Sequence, residues 1–166
     1  ILAVALLLSV AACTAAPGAA PTQQPTEGPP APTAAGPSDE TTPCSADGPW
    51  AVDFSVTGGF AGVDQRLDLD QTGAYTATDA RQGKEIEGVY PPDVVAGVSE
   101  LLPTICQATA SSRPPSCADC FVYNLQAVLD DGRYAVSVND VNLSESPAAE
   151  LIALLNQLLR SALETG

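Results

Sequence analysis

The 166-residue sequence contains no histidine and no methionine. Without histidine there is no side chain that titrates near neutral pH unperturbed, and the commonest metal ligand is missing. Catalysis of the Ser–His or Cys–His kind is therefore excluded, and no nucleophile motif or phosphate-binding glycine loop replaces it. Basic residues are scarce: 6 Lys and Arg stand against 20 Asp and Glu, a formal net charge of −14. Nucleic acid and anionic lipid both require a basic face, so neither is expected as a partner. Aromatic residues are few, and all eight (Trp50, Phe54, Phe60, Tyr75, Tyr90, Phe121, Tyr123 and Tyr134) follow residue 44. Long apolar runs are missing too. None approaches the roughly 20 residues of a spanning helix.

The longest apolar run opens the chain, from Ile1 to Ala12, and ends at Cys13. Its length suits the apolar part of a secretory signal. No initiator Met or basic stretch precedes it, so the N-terminus is expected to be trimmed. Val10-Ala11-Ala12-Cys13 resembles a bacterial lipobox, an aliphatic residue and two small ones before a cysteine. That resemblance implies cleavage before Cys13 and acylation of its sulfur and its new amino group. More than one acyl chain is what stable anchoring takes. The implied location is the outer side of a cell membrane, held by lipid alone. The alternative is an ordinary cleaved signal with Cys13 incidental.

Residues 14–43 are nearly all Ala, Pro, Thr, Gly, Gln and Ser, with prolines at 17, 21, 25, 29, 30, 32, 37 and 43. Such a segment buries too little apolar surface to offset its ordering entropy. It is expected to be a disordered tether, extended by proline to at most roughly 90 Å at about 3.1 Å per residue.

Residues 44–166 are long enough for one domain with its own core. They carry 17 acidic and 6 basic residues, which reads as a solvated acidic surface. Strict alternation marks strands: Val52, Phe54 and Val56; then Val63, Gln65, Leu67 and Leu69; then segments 74–78 and 84–89 after turns at Gln71-Thr72-Gly73 and Gln82-Gly83. Residues 121–129 and 134–141 form a further hairpin about Asp130-Asp131-Gly132-Arg133, whose Asp-Gly step is a strong turn signal. One helix spans 92–102, with Val94, Val95, Val98, Leu101 and Leu102 on one side, and stops at Pro103. A second follows Ser146 as N-cap and Pro147 at its first position. It bears a broad stripe of Leu151, Ile152, Leu154, Leu155, Leu158, Leu159, Ala162 and Leu163, which reads as a core face. The expected fold is α+β: a mainly antiparallel sheet of about six strands with two helices packed on it.

Four cysteines remain beyond Cys13: Cys44, Cys106, Cys117 and Cys120. An even count in an exported domain reads as two disulfides. Three pairings are open. A bond from Cys106 closing the Ser/Pro-rich segment to Cys117 or Cys120 is the preferred one, leaving Cys44 to pin the end of the tether. Cys117-Ala118-Asp119-Cys120 also has the spacing of a redox pair or half a zinc site. It opens a strand after Pro114-Pro115, however, where a thioredoxin-like pair opens a helix.

Two acidic patterns have spacings that could carry chemistry. Asp68-x-Asp70-x-Thr72-Gly73 with Asp79 at the twelfth position has the outline of a calcium loop. Position five is Thr and the last ligand is Asp, and the segment alternates like a hairpin. Asp68 and Asp70 also share one strand face, a spacing a glycosidase might use. Solvated strand charges account for both, so no metal, cofactor or catalytic activity is expected.

Between the first two strands lies Thr57-Gly58-Gly59-Phe60-Ala61-Gly62. Three glycines bring entropy loss and no packing, yet they allow close approach of backbone to another surface. On physical grounds alone, Phe60 is expected to fold back and cap the sheet. Gly58-Gly59-Phe60-Ala61-Gly62 at the end of a first strand resembles the Ser-Gly-Gly-Phe-x-Gly signature of emfourin, a small protein inhibitor of thermolysin-like metallopeptidases. The likeness runs more weakly through the following hairpin, the 92–102 helix, Phe121-Val122-Tyr123, Asn139-Asp140 and the closing helix. Thr57 in place of Ser, a long 103–119 loop and the four cysteines depart from that pattern. The resemblance implies a monomeric inhibitor docking on a protease cleft through Gly58, Gly59, Phe60, Ala61 and Gly62, with Phe60 in an apolar pocket. The alternative is a non-inhibitory lipoprotein that binds an envelope component.

Overall fold

The chain divides into two units, Ile1–Asp39 and Glu40–Gly166. A computed structural model describes residues 44–111 and 117–165, all within the second unit. The signal and lipobox read at 1–13, with Cys13, and the tether at 14–43 lie outside the described residues. No helix among the described residues is long and apolar enough to cross a membrane.

Six strands form one antiparallel sheet: β1 (Ala51–Gly58), β2 (Val63–Asp70), β3 (Ala74–Asp79), β4 (Lys84–Val89), β5 (Phe121–Leu129) and β6 (Gly132–Asn139). Their spatial order is β4-β3-β2-β1-β5-β6. The first four make a meander, as their turns dictate. The chain then crosses one face of the sheet through α1 (Pro92–Leu101) and α2 (Thr104–Ser111) and returns as β5 beside β1. It closes with α3 (Ala149–Thr165). The expected α+β architecture is the one observed.

Because side chains alternate across a strand, the period-two pattern divides the sheet into two unlike faces. Val52, Phe54, Val56, Leu67, Leu69, Leu125, Ala127, Val136 and Val138 form the apolar face. They share one core with Val98, Leu102, Ile105 and Ala108 and with the α3 stripe of Leu151, Ile152, Leu155, Leu158, Leu159 and Ala162. The other face carries Asp53, Ser55, Arg66, Asp68, Thr76 and Glu87 and is open. Polar residues there need no partner but water.

Local chemistry sets the helix ends. Pro91 and Pro92 start α1, and the Val94 and Val95 amides donate to the Pro91 carbonyl. Pro103 lacks the amide that would continue it. The segment after Pro103, expected to be loop, instead resumes as α2, with the Thr104 hydroxyl donating to the Leu101 carbonyl at 2.7 Å. Its buried Ile105 and Ala108 explain this: tertiary burial stabilises a short helix of poor propensity. The Ser146 Oγ accepts from the Ala148 amide at 3.2 Å, but the regular helix starts at Ala149, so Pro147 lies in the turn before it and not at its first position as expected. Ser146 also ends a short 3-10 helix, Leu143–Glu145. α3 has no basic residue in its last turn. Lys84 on β4 serves instead, donating through Nζ to the Leu163 carbonyl, where a cation complements the helix dipole.

The disulfides join Cys44 to Cys106 and Cys117 to Cys120. Cys106 therefore does not close the 103–119 segment, as preferred from sequence. It sits on α2 and packs with Cys44 against the core, so the bond ties the start of the domain to a helix. The two bonds differ in what they restrain. By loop-closure entropy, Cys44–Cys106, 62 residues apart, stabilises by about 4 kcal/mol. Cys117–Cys120, three apart, contributes only about 2 kcal/mol. Replacing Cys44 and Cys106 together with serine should lower the free energy of unfolding about twice as much as replacing the other pair, as read by urea denaturation.

Asp79, at the end of β3, is 5% exposed. Its carboxylate accepts from Gln65 Nε2 at 2.8 Å and from the Gln82 amide at 2.9 Å. The Gln65 hydrogen bond first, and then that amide, hold its pKa below the ordinary 3.8. A depressed carboxylate pKa stabilises the fold above the unfolded value, and the gain is lost as pH falls through the folded one. Wild type should therefore lose stability on acidification below about pH 4 more steeply than Asp79→Ala. At pH 7 the variant should be about 2 kcal/mol less stable, the size of a charged hydrogen bond. Equal acid slopes in urea melts from pH 5 to pH 2 would contradict this.

Candidate functional site

The Gly58–Gly62 segment leaves the sheet at the end of β1 and returns at Val63. Its geometry is a closed turn: the Gly62 amide donates to the Gly59 carbonyl at 2.9 Å, with Phe60 and Ala61 at the two central positions. The glycines flanking them have positive φ, 94° at Gly58, 67° at Gly59 and 62° at Gly62. Residues with a Cβ adopt this region only at a cost. Two of the three are also pressed against a neighbour. A Cβ on Gly58 would lie 2.5 Å from the Cys120 carbonyl oxygen, and one on Gly59 would lie 2.7 Å from the Phe121 ring. A Cβ on Gly62 meets nothing within 4 Å. Gly58 and Gly59 let backbone and ring close up. Gly62 only turns the chain.

The neighbour is the turn that precedes β5. Gly58 pairs with Phe121 in the sheet register, and one step further the Gly59 amide donates to the Cys120 carbonyl at 3.1 Å. The Cys117–Cys120 bond closes that turn. Cys120 is 7% exposed, whereas Cys117, Ala118 and Asp119 are exposed. The short disulfide thus stands beside the base of the glycine loop, and its role is local.

Phe60 projects from this base and is 100% exposed. The expectation that it folds back onto the sheet is wrong. The core beneath is already filled by Phe54, Val56 and Tyr123, and a turn closed between Gly59 and Gly62 carries its central side chains away from the strands. A wholly exposed Phe contributes nothing to the folded state.

A second turn stands two strands away on the same rim, about 10 Å off at ordinary strand spacing. The Asp140 amide donates to the Phe121 carbonyl at 3.1 Å, which brings the end of β6 alongside Phe121. Buried Asn139 accepts from the Val141 and Asn142 amides through Oδ1, both at 3.1 Å. Asn142 Oδ1 in turn accepts from the Asn139 amide at 2.8 Å. Val141, expected within the strand, lies beyond its end and is 71% exposed. Neither this turn nor the disulfide brace was anticipated. The run Asn139-Asp140-Val141-Asn142 is dense in turn formers and was the available signal.

The calcium outline comes apart in three dimensions, while Asp68 and Asp70 stay on one face of β2. Asp68 faces the open side, where it and Asp53 both bind Arg66, at 3.1 and 2.6 Å. Asp70 accepts from the Thr72 amide at 2.8 Å and shapes the β2–β3 turn. Asp79 points to the opposite face, so the calcium outline does not converge. Burial raises the Asp53 pKa above its ordinary value, Arg66 opposes this, and Asp68 adds to it. A shallow concavity of about 630 Å³ lies over this face, lined in part by Asp53, Asp68, Tyr75, Glu87 and Arg133. Its central carboxylates are already engaged.

No family model and no curated protein matches the sequence. The site therefore rests on its geometry. Gly62→Ala should cost about 1 kcal/mol, the strain of a left-handed residue. Gly58→Ala should cost clearly more, because the Cys120 carbonyl it meets is backbone in a paired strand and cannot move aside. Chemical denaturation of the two variants decides the order, and equal losses would contradict the packing argument.

Proposed function

We propose that this chain is a non-catalytic, surface-anchored lipoprotein that inhibits a thermolysin-like metallopeptidase through its Gly58–Gly62 loop. The observation that carries this reading is the fully exposed Phe60, held on a turn whose base is hydrogen-bonded to the sheet. An exposed aromatic on a restrained loop costs little entropy to dock, and preorganisation of this kind raises affinity. Peptidases of the class favour bulky apolar residues beside the scissile bond, and Phe60 fits that pocket. Cleavage requires an extended backbone. Gly59, at a φ of 67° with its amide donated to Cys120, is held out of that form, so the loop binds without being a good substrate. The likeness to the emfourin signature supports the same reading. The lipobox-like Val10–Cys13 supports a position at the cell surface, where secreted peptidases are met.

The test is a titration of a thermolysin-like protease with the protein. Inhibition at or below micromolar concentration is expected. Phe60→Ala should weaken it at least about 30-fold, the 2 kcal/mol of a buried aromatic anchor, while leaving the unfolding free energy within about 0.5 kcal/mol of wild type. Absence of inhibition at micromolar excess, or a fully potent Phe60→Ala, would reject the loop reading and favour binding to an envelope component.

A further inference from the structure

We propose that Cys117–Cys120 is a thiol–disulfide exchange site whose reduction by an external dithiol releases the Gly58–Gly62 loop. The proposal extends the inhibitory reading, on which its functional consequence rests, by giving that loop a redox control.

The two disulfides are unlike in accessibility and in what they hold. Cys44 and Cys106 are both half-buried and pack against the edge of the core, and their bond spans 62 residues. Cys120 is buried outside that core cluster, and its partner Cys117 is exposed. Exchange requires in-line approach of a thiolate to a sulfur, so access decides which bond reacts first. Cys117 offers that access. A reductant thiolate attacks Cys117 Sγ and forms a mixed disulfide, and the Cys120 sulfur leaves as a thiolate and takes a proton. The second thiol of the reductant then attacks the mixed disulfide and frees Cys117, which is protonated in turn. The protein gains two electrons and two protons, and the dithiol leaves as its own disulfide.

The consequence follows from the contact between the two turns. The Cys120 carbonyl accepts from the Gly59 amide, and its oxygen lies 2.5 Å from where a Gly58 Cβ would stand. The Cys117–Cys120 bond closes the turn that carries this carbonyl. With the bond open, residues 117–120 can fray from the head of β5, and Gly59 loses its partner. Phe60 is then displayed from a looser loop, and docking must include the cost of ordering it.

Graded dithiothreitol followed by alkylation and peptide mass analysis reads the site directly. Cys117 and Cys120 should be labelled while Cys44 and Cys106 remain bonded. Simultaneous labelling of all four, or earlier labelling of Cys44 and Cys106, would overturn the assignment. Amide hydrogen exchange at Gly59 should rise at least about tenfold in the selectively reduced protein. The same rise is expected in a Cys117→Ser/Cys120→Ser variant that keeps its cooperative unfolding. Unchanged exchange in the reduced wild type would overturn the brace. Inhibition of a thermolysin-like protease should weaken roughly tenfold on selective reduction. If the oxidised protein inhibits and the reduced form is equally potent, redox control fails and the inhibitory reading stands. If the oxidised protein does not inhibit, the inhibitory reading and the redox control of inhibition fall together, while labelling and exchange still decide the exchange site and the brace.

Discussion

Strand β1 is the constraint on which the rest of the structure depends. All eight of its residues are paired on both sides, with β2 from Val63 to Asp70 and with β5 from Phe121 to Val128. A one-residue slip on either side would turn every apolar side chain of the slipped strand to the wrong face. Phe54, fully buried at the middle of β1, makes such a slip expensive. The meander on one side and the hairpin on the other are thereby locked in a single register, and α3 can cover both.

That double pairing also decides what happens at the rim. Because β1 ends opposite the start of β5, the glycine turn after Gly58 and the cysteine turn before Phe121 emerge side by side. Because β6 ends beside the same start, the Asn139–Asn142 turn joins them. Three short connections, each hydrogen-bonded at its base, are gathered from segments nearly 80 residues apart in the chain. The sheet supplies rigidity, and the turns supply display. Phe60 is exposed because the interior is already full and its turn points outward.

The disulfides divide between these two tasks. Cys44–Cys106 joins the start of the domain to a helix that would be marginal alone, and it acts on the stability of the whole. Cys117–Cys120 closes only four residues and constrains the unfolded chain about half as much. Its position beside Gly58 and Gly59 gives it local significance. Spacing alone is compatible with a redox motif or a metal half-site, and the structure places the pair against a loop that carries an exposed aromatic, Phe60.

Much of the fold was legible in the residue pattern, because alternation in strands and the 3.6 period in α3 are local signals that burial reinforces. Val52, Phe54 and Val56, and Leu151 to Ala162, stand where that pattern implies. The stop of α1 at Pro103 is equally local. What misled was non-local: α2 exists because Ile105 and Ala108 find a core, and Cys106 pairs with Cys44 because the helix crossing brings them together. The sequence by itself determined an α+β sheet with one apolar face and a glycine turn after β1. Only the tertiary structure decided that Phe60 points outward, which cysteines meet, and which turns share a rim. Those outcomes depend on what occupies the space between distant segments, and no local pattern encodes that.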